Sequence, residues 1–239
     1  MAAILDVLFI GRFFPKVMAQ YDESSQKLTI KLVYYGPALS GKTTNLMRLH
    51  DILTPDMKGE LMIMETADDR TLFFDLLPLG FRAPSGLLIK FKVYTVPGQV
   101  IHDSTRKAVL SRADGVVFVA DSQRTQSVNN GESFENLVAN AARVGLDFQQ
   151  LPLVVQFNKR DLPAILSEQE IMARWEKAPW PVLFSSALTG EGIIETFKTL
   201  LAAVYLTCDR LYRLQSDHGL DCDSFIAQTL GGSLSSAKG

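Results

Sequence analysis

Apolar residues along this chain gather in two rhythms. Gly115 to Ala120 (GVVFVA), Leu153 to Phe157 (LVVQF) and Val182 to Ser185 are short, nearly unbroken apolar runs, the pattern of strands covered on both faces in a parallel sheet. Leu28 to Tyr35 (LTIKLVYY), Thr71 to Pro78 (TLFFDLLP) and Leu87 to Val96 (LLIKFKVYTV) also have strand composition. The connection LGFRAPSG between the last two supplies the Gly, Pro and Ser of a loop and predicts an antiparallel hairpin. Between the strands, apolar residues recur at helical spacing over Lys42 to Leu53, Ile101 to Arg112, Ser133 to Val144, Glu168 to Trp175 and Ile193 to Leu211. Strand and helix alternate. The fold class is therefore α/β, with a mostly parallel six-stranded sheet, helices on both faces and an antiparallel edge hairpin.

The flanks divide the chain further. Residues 27–206 hold the predicted domain, with 1–26 as an N-terminal extension and 207–239 as a C-terminal one. The start MAAILDVLFIGRFF is apolar, but Asp6 interrupts it and neither a basic n-region nor a small-residue cleavage site marks a signal peptide. It reads as an apolar segment packed on the domain or as an upstream start, the polar MAQYDESSQKL from Met18 being a natural beginning. At the other end Leu211, Leu214, Leu220, Phe225 and Ile226 predict amphipathic helix broken by Gly219, which packs on the domain or docks a partner, and the Gly/Ser-rich stretch from Leu230 reads as a disordered tail.

Composition changes the picture little. With 47% hydrophobic and 21% charged residues, the chain can bury a core without staples. A net charge of −2 without blocks of like charge argues against nucleic acid as a partner. Cys208 and Cys222 match no metal or redox spacing and suit reduced thiols in a cytoplasmic protein. No C-terminal Cys box, N-terminal Met-Gly or polybasic stretch offers a direct lipid anchor.

The candidate chemistry starts at YYGPALSGKTTN. Gly36 to Thr43 fits G-x-x-x-x-G-K-[ST], placed between a predicted strand and a predicted helix. A triphosphate needs many donors converging on a small volume. A glycine-opened loop turns backbone N–H groups inward, and the helix N-terminus adds the positive end of its dipole. Gly36, Ala38, Leu39, Ser40, Gly41, Lys42, Thr43 and Thr44 are the phosphate-binding set. Lys42 reaches the β- and γ-phosphates, and the Thr43 hydroxyl is a Mg²⁺ ligand.

NKRD, Asn158 to Asp161, selects the base. A carboxylate there accepts from both N1–H and N2–H of guanine, whereas adenine would leave a buried Asp161 unpaired. Sites built for such a bond reject the analogue that lacks it by roughly 10⁴ or more. Asn158, Lys159 and Asp161 are thus the guanine set, and SSALTGEG adds Ser186, Ala187 and Leu188, similar to the S-A-K loop of GTPases. In TVPGQ, Thr95 to Gln99, Gly98 and Gln99 match the D-x-x-G-Q of Ras-like GTPases. There the Gly amide senses the γ-phosphate and the Gln orients the attacking water. Thr95 stands where that motif has aspartate and brings no charge, so Mg²⁺ is expected to be held more weakly.

Together VYYGPALSGKTTN, DDRTLFFDLLP, YTVPGQV, DGVVFVADSQ and NKRDLP resemble the MglA family of bacterial small Ras-like GTPases over roughly Lys27 to Leu206. The threonine of the third motif is a mark of that family. The resemblance implies a single P-loop G domain that binds GTP/GDP with Mg²⁺ and works in cell polarity and gliding or twitching motility. It makes Thr71 the switch threonine that closes over Mg²⁺ and γ-phosphate. It makes Arg70 the intrinsic arginine that joins Lys42 and Gln99 in catalysis. It also implies a roadblock-type (MglB-like) activating protein as partner, besides unknown effectors. Ala38 replaces the family's usual glycine, and its methyl predicts slow intrinsic hydrolysis.

Overall fold

The computed structural model describes residues 19–53, 59–65, 73–98 and 103–232. Arg70, Thr71 and Gln99 lie outside them, as do residues 1–18 and 233–239. The strands are β1 (Gln20–Asp22), β2 (Lys27–Tyr35), β3 (Met62–Glu65), β4 (Phe73–Arg82), β5 (Leu88–Thr95), β6 (Gly115–Asp121), β7 (Leu153–Asn158) and β8 (Val182–Phe184). The helices are α1 (Lys42–Ile52), α2 (Asp103–Leu110), α3 (Ser127–Arg143), α4 (Glu168–Trp175), α5 (Ile193–Tyr212), α6 (Leu214–His218) and α7 (Cys222–Thr229). The strands form one sheet ordered β3-β4-β5-β2-β6-β7-β8, with β1 added antiparallel to β2. From β5 to β8 neighbouring strands are parallel, and β3 and β4 are antiparallel.

The α/β class and the hairpin hold, but the sheet has eight strands rather than six. Both extra strands are short: β1 is the mostly polar Gln-Tyr-Asp, and β3, Met-Ile-Met-Glu, is an apolar run too brief to stand out as a strand. They exist because a long neighbour offers them a ladder to complete. The hairpin is also longer than predicted. Leu79 and Phe81 alternate into the core while Gly80 faces the backbone of Ile89, so the strands run on to Arg82 and the turn shrinks to Ala83–Leu87. α3 starts six residues earlier than predicted. The Asn130 side chain accepts from Asp121 N–H at 2.9 Å and donates to Asp121 O at 2.8 Å, clamping a polar first turn to the end of β6.

Each sheet face has its own core. α1, α5 and α7 cover one through Leu46, Leu49, Phe197, Leu200 and Phe225. On the other face, α2, α3 and α4 pack through Val109, Leu110, Leu137 and Ile171. β6 and β7 are buried throughout, which their unbroken apolar runs required. The flanks join this body. Position 206 falls inside α5, Leu214, Leu220 and Phe225 are fully buried, and Ala19 O accepts from the Tyr212 hydroxyl at 2.6 Å.

Candidate nucleotide-binding site

The C-terminal ends of β2, β6, β7 and β8 open onto one edge of the sheet, where α/β folds bind ligands. The loop from Gly36 to Gly41 connects β2 to α1 there. Gly41 has φ 96°, and a Cβ on it would lie 2.2 Å from Asn158 Nδ2, so only glycine fits at this crossing of loops. Leu39 is also left-handed, at φ 61°, with its side chain exposed. Ser40 is buried, while Ala38, Thr43 and Thr44 are exposed.

Lys42 is buried, and its ammonium donates to Gly36 O at 3.0 Å and Pro37 O at 2.6 Å. Burial pushes its pKa down to about 7, the Arg106 guanidinium acts in the same direction, and Asp75 opposes them. A cation so short of counter-charge is what a polyanion stabilises. Gly98 lies against the same loop. A Cβ on it would come 2.3 Å from Ala38 Cα and 2.6 Å from Ala38 N. The main chain that leads to Gln99 therefore touches the P-loop at the position where this chain carries alanine.

Beside Lys42 a cluster of oxygens forms around Asp75 of β4. The Thr43 hydroxyl donates to Asp75 Oδ2 at 2.6 Å, and the Thr95 hydroxyl donates to the same oxygen at 3.0 Å. Asp75 N–H donates in return to Thr95 Oγ1 at 2.9 Å. Asp75 and Thr95 are both buried. Sequence reasoning missed Asp75. Its signal was a single acid inside the apolar run FFDLL, since a buried carboxylate must have partners.

At the base-reading end Asn158 ties three loops together. Its Nδ2 donates to Ser40 O at 2.9 Å, and its Oδ1 accepts from Ala187 N–H at 2.8 Å and the Ser185 hydroxyl at 3.1 Å. Lys159, left-handed at φ 68°, pairs with the buried Asp121 at 2.7 Å. Asp161 Oδ1 accepts from the Ser186 hydroxyl at 2.6 Å. Asp161 itself is exposed, which corrects the expectation of a buried carboxylate. It follows the end of β7 and stands at the rim, where no strand covers it. Ala187 is buried, and Leu188 is exposed with its carbonyl held by Arg48. Asp121, Ser185 and Arg48 were not foreseen, because their parts depend on loops that meet only in space.

The chain is 43% identical over 187 residues to the mutual gliding-motility protein MglA of Myxococcus xanthus, a match covering 78% of this chain and 96% of that protein. The chain belongs to the MglA-type small Ras-like GTPases. The model of the ADP-ribosylation factor family matches residues 85–204. ADP-ribosylation factor-like protein 6 of Caenorhabditis elegans is 24% identical over 183 residues, 74% of this chain and 88% of its own. ADP-ribosylation factor-like protein 1 of Saccharomyces cerevisiae is 24% identical over 200 residues, 82% and 97% of the two chains. Membership makes this MglA-type chain a guanine-nucleotide-binding GTPase. Among the described residues no helix is long and apolar enough to cross a membrane.

The MglA-type site also fits Mg²⁺. Thr43, Asp75 and Thr95 offer hard oxygen donors. No group of three or more His, Cys, Asp or Glu among the described residues could hold a metal. Mg²⁺ commonly sits on one or two carboxylates plus substrate phosphates, which is the kind of site this corner makes.

Proposed function

We propose that the protein is a GTP-dependent switch that hydrolyses GTP to GDP slowly and regulates cell polarity or motility through nucleotide-dependent effector binding. One observation carries the reading. The Asn158 side chain joins the phosphate loop at Ser40 to the 185–187 loop, so the phosphate and guanine sets face one cleft. In that cleft the P-loop amides and Lys42 bind the phosphates. Asp161 accepts from the base, the Ala187 N–H lies beside the guanine carbonyl, and Lys159 stays pinned by Asp121. Thr43 and Thr71 hold Mg²⁺, which neutralises charge on the phosphoryl oxygens when bound. Gly98 and Thr71 respond to the γ-phosphate, and that differential contact makes nucleotide identity matter. Gln99 orients the water, and Arg70 spreads positive charge over the transition state. The roles of Arg70, Thr71 and Gln99 rest on sequence and family alone.

Because the arginine is the chain's own, the proposed activator is a roadblock-type, MglB-like protein that moves Arg70 into place rather than supplying a second one. The relative from Myxococcus xanthus, whose name records gliding motility, supports the proposed process. The proposed location is cytoplasmic.

Two measurements test this. Competition of GDP and ADP against a fluorescent guanine nucleotide is expected to show guanine preferred by orders of magnitude. Asp161→Ala is expected to lose at least about a hundredfold of that preference; equal binding of adenine nucleotides sinks the reading. Phosphate release is expected to be slow alone and to rise on adding a roadblock activator. The close approach of Gly98 to Ala38 favours a second reading, a GTP-binding interaction module with negligible hydrolysis. Silence with and without the activator would select it.

A further inference from the structure

We infer that Asp75 supplies from β4 the negative charge that Thr95 fails to supply from β5, and so positions Thr43 and Mg²⁺ at the phosphates. The inference rests on the proposal that the cleft binds Mg²⁺ with a guanine nucleotide.

Three features point to it. Asp75 is buried and, among the described residues, makes no ion pair. Its side-chain partners there are two neutral hydroxyls. A buried carboxylate so placed is costly until a cation arrives. Next, Thr43 gives its only hydroxyl proton to Asp75. A threonine oxygen in that state offers only lone pairs to anything else, which is what a hard cation requires. Finally, Thr95 donates to Oδ2 and accepts from the Asp75 backbone N–H, so its hydroxyl fixes the carboxylate relative to the β4 main chain. Thr95 is then the support of the acid rather than a weak replacement for it. The β4–β5 register, with Leu76 opposite Tyr94, brings the two residues side by side. Under this assignment the missing aspartate at position 95 does not weaken Mg²⁺ binding, because the charge enters from the neighbouring strand.

The bland alternative is a polar strap that merely fastens β4 to α1. Release of fluorescently labelled GDP from the full chain, followed across a series of free Mg²⁺ concentrations, separates the two. Asp75→Asn keeps an acceptor and the shape but removes the charge. It is expected to raise the half-saturating Mg²⁺ by about tenfold or more, while release without Mg²⁺ stays within about twofold of wild type. The double variant Asp75→Asn/Thr95→Asp returns a carboxylate to the corner and is expected to recover most of the Mg²⁺ response. Thr95→Asp alone sets two carboxylates together and is expected to recover nothing over wild type. A Mg²⁺ response of Asp75→Asn within twofold of wild type overturns the inference, as does release accelerated by the same factor with and without Mg²⁺ at an unmoved half-saturating concentration. If the single variant does not fold, the double variant decides, and a missing Mg²⁺ response there overturns it. Failure of wild type to retain labelled GDP at any Mg²⁺ sinks the nucleotide reading as well. Retention by wild type with an unmoved Asp75→Asn sinks this inference alone.

Discussion

Asn158 carries three hydrogen bonds on one amide, one to the phosphate loop and two to the 185–187 loop. Truncation to alanine leaves Ser40 O and Ala187 N–H without that partner in a buried setting, at about 1–3 kcal/mol for each orphaned group. Asn158→Ala is therefore expected to weaken GDP binding by at least about a hundredfold, measured by titration, while far-UV circular dichroism stays native. Ala38 calls for a kinetic test. With Gly98 already against its backbone, Ala38 leaves little room at the loop, and Ala38→Gly is expected to speed single-turnover GTP hydrolysis severalfold. An unchanged or slower rate removes Ala38 as the brake. At this scale the P-loop and NKRD were legible because their residues are contiguous and their chemistry depends on a local turn. The exposure of Asp161 was not legible, since a residue's cover comes from elements far along the chain.

Among the elements, α7 is the one whose place sequence left open between partner docking and self-packing. Phe225 is fully buried, with ring centroids 5.5 Å from Phe91, 6.1 Å from Phe81 and 5.4 Å from Tyr205. Phe91 and Phe81 belong to the hairpin strands, so α7 covers the hairpin part of the sheet face it shares with α1 and α5. Phe225→Ala is expected to cost about 3–5 kcal/mol, read as a lower urea midpoint, with guanine preference unchanged. A variant as stable as wild type would detach α7 from the core. The helical rhythm of α4 and α5 and the apolar runs of β6 and β7 were readable because each element is set by its own periodicity. The early start of α3 and the short β1 and β3 were not, because their residues gain only from what lies beside them.

For the whole molecule, a half-buried pair at the edge opposite the cleft sets a pH dependence. Asp114 Oδ2 accepts from Lys31 N–H at 2.7 Å, and Lys31 Nζ donates to Ser111 O at 2.9 Å. Burial pushes Asp114 up to about 7 and Lys31 down to about 8. The folded chain thus holds an extra proton on Asp114 between about pH 4 and pH 7, and stability falls as pH rises through that window. For Lys31 the unfolded chain holds the extra proton from about pH 8 to about pH 10, so stability rises there. The pair is expected to put a shallow minimum near neutrality in the urea midpoint plotted against pH. Asp114→Asn, which keeps the acceptor, is expected to flatten the acid limb by an amount of order 2 kcal/mol. An unaltered acid limb in that variant would assign it to other groups. By itself the sequence determined the α/β class, the phosphate loop and the guanine-reading segment, because these are written in local periodicity and in motifs a few residues long. Only the tertiary structure decided that Asp75 meets Thr43 and Thr95, that Asn158 fastens three loops and that the C-terminal helices complete the core. Such pairings follow from strand register and close packing between distant segments, and no local pattern of residue types encodes them.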